Sequence, residues 1–282
     1  MASCSDKELE IKSAVLRLAL LKYIKNANAG HTGGDLSCID ILNVLYNDVL
    51  NVSPENFNDP GRDRYIQSKG HAVEALYVVL ASKGFFPESD LETIGRYRSH
   101  YVGHPTRHVN GIEFNTGALG HGLSISAGIA LAGKMDNMNY RVFTLLGDGE
   151  LAEGSNWEAA MFASHKRLDN LVAILDHNTL QITGRTAEVC NPCPIDEKFR
   201  AFGWVVTHVD GHDIKDLRSV LRSVPFVTGK PTLIIADTIK GKGVSFMENV
   251  VKWHHGVPDD GQYKAAVREL ELRIKELDDK TA

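Results

Sequence analysis

From residue 141 onward the sequence alternates short apolar runs with segments of helical period, and few folds accept that rhythm. Runs at 141–146, 171–175, 204–209 and 232–237 have strand length, while 154–166 and 214–223 have the spacing of helices. Strands spaced by helical segments imply parallel βαβ units. The expected fold class is therefore α/β, a parallel sheet with helices on both faces. Ligands of such sheets bind beyond the carboxyl ends of the strands, where the loops after Leu146, Leu175 and Asp237 fall.

The first half reads as helices over 9–26, 35–50 and 70–81, the last stopped near Gly84 and Pro87, followed by a loop over 95–115 rich in Gly, His and Arg. The tail over 262–280 has helical character with charges on one side. No repeat, low-complexity tract or Pro/Ser-rich linker divides the chain, so residues 1–282 are expected to form one domain with helical segments at both ends. A length of 282 residues, 43% hydrophobic and 24% charged, suits a soluble protein with a substantial core. The net charge of -5 gives no reason to expect nucleic acid or an anionic membrane as partner. The amino terminus lacks the segments of a signal peptide and no apolar run reaches membrane-span length, so the expected address is the cytoplasm.

Asp148 stands between Gly147 and Gly149 just past an apolar strand, so its carboxylate can project from the strand end while the backbone comes close to a ligand. A hard oxygen ligand suits Mg2+, which commonly bridges carboxylates to diphosphate. Asn178, at the end of the next apolar strand, can supply an amide oxygen to the same ion. The helix starting near Gly154 would turn its amino end toward that crevice, a favourable place for negative charge. Gly-Asp-Gly alone is also a common turn.

Further along, Ala29-Gly-His-Thr-Gly-Gly, Ser68-Lys-Gly-His-Ala, Gly103-His-Pro, Thr116-Gly-Ala-Leu-Gly-His-Gly, Gly147-Asp-Gly-Glu-Leu-Ala-Glu-Gly, Asp176-His-Asn and His255-Gly occur in one order. With these motifs the chain resembles, from end to end, the amino-terminal diphosphate-binding domain of transketolase, a thiamine diphosphate-binding fold. The resemblance implies that Asp148, Asn178 and the backbone carbonyl of Leu180 hold Mg2+, for which Ca2+ or Mn2+ could substitute. It implies that His71 and Gly149 touch the diphosphate of thiamine diphosphate and that Gly117 and Leu119 pack near its rings. Glu153 corresponds to an interface glutamate of the acidic network that links the active sites.

Four of the twelve histidines, His31, His71, His104 and His255, lie next to a glycine in loops that the family folds around the cofactor. By contrast His108, His165, His177, His208 and His212 are expected to be surface or satisfied core groups. The chemistry implied is transfer of a two-carbon ketol unit from a ketose to an aldose, with protons moving on and off sugar hydroxyls. Imidazoles titrating near neutrality suit that work. By resemblance, His31 and His255 face the substrate hydroxyls and His104 lies near the first carbon of the donor. His254 beside His255 leaves that position open by one residue, and His121 stands where many relatives have Gln.

In the family, the glutamate that activates the aminopyrimidine belongs to a second, pyrimidine-binding domain. The chain reads only to Ala282, so the expected partner is a separate carboxyl-terminal transketolase subunit, two copies of each forming an α2β2 heterotetramer. The α subunit of a 2-oxo acid dehydrogenase and a catalytically silent or regulatory subunit are the competing readings. Against the first stand Ala29-Gly-His-Thr-Gly and Gly103-His-Pro, which suit a polyhydroxylated substrate; against the second stands the retention of both side-chain metal ligands and all four histidines. Cys190-Asn-Pro-Cys193 has redox-motif spacing but is expected to be a plain loop, since Cys4 and Cys38 are isolated.

Overall fold

The computed structural model describes residues 4–279; Met1 to Ser3 of the amino terminus, and Lys280 to Ala282 at the end of the tail, lie outside them. In chain order the elements are α1 (Asp6–Ala27), α2 (Thr32–Val44), β1 (Arg64–Gln67), α3 (Val73–Ser82), α4 (Gly122–Met135), β2 (Val142–Gly147), α5 (Gly154–His165), β3 (Leu171–His177), β4 (Leu180–Gln181), β5 (Gly184–Arg185), α6 (Thr186–Val189), α7 (Ile195–Ala201), β6 (Val205–Asp210), α8 (Ile214–Arg222), β7 (Thr232–Asp237) and α9 (Asp260–Asp279). Helix α1 starts where Ser5 and Glu8 close a capping box, each side chain binding the other's backbone N–H.

Five strands form one parallel sheet in the order β1-β2-β3-β7-β6, and β4 and β5 make a small antiparallel hairpin. Alternation along the central strands assigns each residue to a face. Phe143, Leu145, Val172, Ile174, Ile234 and Ala236 pack with residues of α1, α2, α3 and α8. Val142, Leu146, Leu171, Ala173, Leu175, Leu233 and Ile235 point the other way, onto α4, α5 and α7. Both faces of the sheet are covered, which is why its strands read as nearly continuous apolar runs.

The structure departs from the sequence pattern at several elements. Strand β1, helix α4 and helix α7 are not among those the pattern predicts, and α2 runs from Thr32 to Val44 before a π-helical turn over Leu45–Val49 rather than spanning 35–50. The strand expected to end at Leu175 continues to His177, which puts Asp176 inside the sheet. Among the described residues no helix is long and apolar enough to cross a membrane.

Candidate functional site

At the carboxyl ends of β1, β2, β3 and β7 the loops converge on a cavity of about 320 Å³. Its walls include His31, His71, His104, Gly117, Leu119, Asp148, Gly149, Asn178 and Leu180, nine of the eleven residues singled out from the sequence. Glu153 does not reach it: this residue is exposed at the amino end of α5, its side chain making no capping bond. His255 is also outside the lining. Its exposed ring lies 4.7 Å from that of His31, whereas His254 lines the cavity, 5.7 Å from His31 and stacked on His71 at 5.5 Å.

The metal ligands expected at this site are built by a tight turn. Asp148, only 2% exposed, accepts a hydrogen bond from the Gly149 N–H at 2.8 Å and another from the Thr179 N–H. Thr179 adopts φ +63°, an uncommon conformation for a β-branched residue. That turn brings Asn178, whose Oδ1 accepts from the Leu180 N–H at 3.1 Å, and the Leu180 carbonyl to the same side as Asp148. Burial, then the nearby Asp176 charge, raise the Asp148 carboxyl to about 6, against the Gly149 and Thr179 N–H groups and a neighbouring cation, which favour the carboxylate.

That cation is a lysine. The ammonium of Lys240, buried at 2% exposure, donates to the Leu180 carbonyl at 2.9 Å and faces Asp148. Burial, reinforced by the Lys69 charge, lowers Lys240 to about 8. An oxygen-only set of carboxylate, amide and carbonyl, with a lysine cation already bound to one member, fits Mg2+. The buried Gln181 Oε1 in the same wall has no partner among the described residues. The remaining positive groups fit an anion: Lys69 and Lys240 line the cavity together with the rings of His31, His71, His104 and His254.

A buried ion pair is built into the cavity wall. Lys69 contacts Asp176 and donates to the Gly34 carbonyl at 2.9 Å, and Asp176 also accepts from Ser37 Oγ at 2.6 Å and from Thr238 Oγ1. Glu150 ties the loops around Asp148 together, accepting from Ser68 Oγ, from the Gly120 N–H at 2.8 Å and from the Gly147 N–H at 3.0 Å. In the sequence Lys69 and Glu150 stand only as members of motifs, and no motif there singles out Lys240.

The histidine cluster differs from expectation in its protonation. Desolvation, with neighbouring His255, His104 and lysine charges, lowers His31 to about 4, and desolvation, with the Lys240, His31, Lys69 and His255 charges, lowers His254 to about 3. His71 falls well below its ordinary value and His104 falls through burial. In the unliganded chain these rings are neutral at pH 7, each offering one donor and one acceptor rather than titrating near neutrality. A bound polyanion would oppose that shift. His104 reaches the site because Gly117, at φ +136°, has no Cβ: one would stand 2.7 Å from His104 Cδ2.

The Cys190–Cys193 segment lies elsewhere. Both thiols are free and exposed, and Cys190 borders a separate cavity of about 340 Å³ with Leu151, Ala152 and Trp157. Among the described residues no group of three His, Cys, Asp or Glu side chains is arranged to hold a metal, so an ion at Asp148 would have to draw on amide and carbonyl oxygens.

Comparison with known proteins bears on this site. Residues 9–271 match the family described as transketolase, thiamine diphosphate binding domain. The chain is 49% identical over 270 residues to a Phocaeicola vulgatus protein named as one subunit of an apulose-4-phosphate transketolase, covering 96% of each chain. It is 42% identical over 266 residues to 6-deoxy-6-sulfo-D-fructose transketolase subunit SqwG of a Clostridium species, covering 94% of this chain and 96% of that one. The structure superposes on a transketolase from Pichia stipitis solved with sedoheptulose 7-phosphate, with TM-score 0.85 and 26% identity, covering 98% of this chain and 45% of the other. The chain thus spans about half the length of the solved transketolases it matches. It belongs to the transketolase family, as a form of that family's thiamine diphosphate-binding domain.

Proposed function

We propose that this chain is the diphosphate-binding subunit of a two-chain, thiamine diphosphate- and Mg2+-dependent transketolase, active in carbohydrate metabolism of the cytoplasm and moving a two-carbon ketol unit from a ketose to an aldose. The observation that carries this reading is the joining, in one cavity, of the Asp148, Asn178 and Leu180 oxygens with the Lys69 and Lys240 cations and a ring of neutral histidines. Support for a split enzyme comes from two relatives named as transketolase subunits that align with nearly the whole chain, against solved transketolases of about twice its length.

When bound, thiamine diphosphate supplies the nucleophilic carbon and the electron sink for cleaving and remaking the carbon–carbon bond. This chain's part is to bind and orient. Asp148, Asn178 and the Leu180 carbonyl would hold Mg2+, while Lys240, Lys69 and His71 neutralise the diphosphate. Gly117 and Leu119 offer a surface for the rings. His31, His104 and whichever of His254 and His255 faces the sugar would donate and accept hydrogen bonds at the substrate hydroxyls, with the diphosphate charge raising their proton affinity.

Both carboxylates lining the cavity, Asp148 and Glu150, are already bound to backbone N–H groups of this chain. In our reading Asp148 serves the metal and Glu150 ties the loops together, so neither serves the aminopyrimidine. A second chain carrying the pyrimidine-binding domain therefore completes the site in our reading, in an α2β2 assembly with Glu153 at an interface. Its surface neighbour on this chain would be the rim of the cavity, where Ile182 is 64% exposed.

The test is reconstitution. The chain alone with thiamine diphosphate and Mg2+ is expected to show little ketol transfer, and addition of the second chain to restore it. Full activity from the single chain would refute the split assembly. Asp148→Ala is expected to abolish Mg2+-dependent cofactor binding; unchanged affinity would remove Asp148 from the site.

A further inference from the structure

The loop after β7 that delivers Lys240, residues 238–243, is clamped from behind. Its Ile239 N–H donates to Nε2 of His212 at 2.8 Å, and Nδ1 of the same ring lies 2.7 Å from Asp40 Oδ2. Because a backbone N–H only donates, Nε2 is the acceptor and the neutral ring carries its proton on Nδ1, donating to Asp40. Asp40 is also gripped by Arg17, Nη1 at 2.9 Å and Nη2 at 2.7 Å, and Arg17 Nε continues to the carbonyl of Lys242 at 3.1 Å. One network, drawn from α1, α2 and the loop before α8, thereby fixes both ends of the loop.

On the other side the Gly241 N–H donates to the Gly33 carbonyl at 2.9 Å, and the Asn249 N–H to the Lys240 carbonyl at 2.8 Å. With its backbone held on both sides, Lys240 directs its ammonium to the cavity wall. Arg17, Asp40 and His212 do not themselves line that cavity.

We propose that His212 is a positioning residue of the cofactor site, which acts with Arg17 and Asp40 through Ile239 to aim the Lys240 ammonium at the diphosphate. The inference rests on the reading of the cavity as a diphosphate site. An imidazole suits the task because it accepts on one edge and donates on the other. Phenylalanine fills the same space and does neither, leaving the Ile239 N–H without its acceptor. An ammonium on a loosened loop loses the fixed geometry that gives a charged hydrogen bond its strength.

The experiment measures the dissociation constant of thiamine diphosphate, with Mg2+, by calorimetry on the full chain together with the second chain proposed above. Lys240→Met and His212→Phe are each expected to weaken binding about tenfold, the worth of one hydrogen bond to a charged group. If His212 acts through Lys240, the double variant is weaker than Lys240→Met by less than about threefold. Amide exchange over residues 238–243, measured without cofactor, is expected to accelerate in His212→Phe. Arg17→Lys, which keeps a cation for Asp40 but has no Nε for the Lys242 carbonyl, is expected to show the same dependence on Lys240 and serves if His212→Phe does not fold. Multiplying effects in the double variants, or unchanged affinity in folded His212→Phe and Arg17→Lys, would overturn the proposal. Unchanged affinity in Lys240→Met would instead overturn the diphosphate reading, and the inference with it.

Discussion

Replacing Lys69 by methionine tests the buried charge pair in the wall of the site. Lys69 and Asp176 are 1% and 0% exposed, so neither charge has water to fall back on. Removal of the ammonium leaves Asp176 with Ser37 Oγ and Thr238 Oγ1 as donors but without a counter-charge, while the Gly34 carbonyl keeps Ser37 Oγ within hydrogen-bond distance at 2.9 Å. Breaking a buried pair in this way costs roughly 3–5 kcal/mol. Methionine refills most of the lysine stem, so the expected loss is about 3–4 kcal/mol at pH 7.5, read from urea unfolding followed by tryptophan fluorescence.

Two controls separate charge from packing. In the native chain Lys69 holds the Asp176 carboxyl below its usual range, so the pair's contribution is complete above that range and is lost only as pH falls through the depressed value. In Lys69→Met that cause is gone and burial raises the same carboxyl; the penalty is then present at high pH and relieved as the group protonates. The deficit of the variant should therefore shrink between pH 7.5 and 5. Adding Asp176→Asn should recover about 2 kcal/mol by removing the stranded charge. A loss below about 1 kcal/mol, or a deficit indifferent to acid, would refute the reasoning.

The histidine cluster predicts a flat titration: by NMR, His31 and His254, lowered to about 4 and about 3, should show no protonation between pH 8 and 5.5 in the unliganded chain. Because their folded values lie below the unfolded ones, stability should fall as pH drops below about 6.5; stability rising over that range would contradict the assignment. Gly70→Ala places a Cβ 2.7 Å from the Gly117 backbone nitrogen and 2.9 Å from its Cα. The two loops must then part, so a loss of about 1–3 kcal/mol of stability and a clear fall in cofactor affinity are expected, and an unchanged melting temperature would speak against so tight a contact.

What could be read from the sequence follows from which forces act locally. Strand β7 was legible to the residue, because β-branched Thr232 and the apolar run at 233–236 lie between Pro231 and Asp237. Helix α4 was not, since Gly122, Gly128 and Gly133 weaken its helical signal. Two of those glycines are demanded by packing: a Cβ at 122 would meet Ser68 Oγ at 2.3 Å, and one at 133 the ring of Tyr140 at 2.6 Å. Strand β1 is four residues long and mixes Arg64 and Gln67 with Tyr65 and Ile66, so only its pairing with β2 defines it. At the site, Asp148 and Asn178 announced themselves by position at strand ends. Lys240 did not: it is one of 31 basic residues, and only the folded chain distinguishes a buried lysine from a solvated one. His212 is the satisfied group expected of it, both ring nitrogens being bonded, and the positioning role proposed above rests on those two partners, which are remote in sequence.

In the reading proposed above, the bond from Lys240 to the Leu180 carbonyl would make loading of the site an exchange of cations. A bare divalent ion arriving at Asp148 would meet an ammonium on one of its own ligands and be repelled by it. An ion that arrives with diphosphate would offer that ammonium an anionic acceptor in place of the carbonyl, so the lysine can leave the carbonyl without losing its partner. The chain should therefore discriminate between the ion alone and the ion–diphosphate pair, admitting the second far more readily. A single side chain would in this way make metal and cofactor arrive as one cargo.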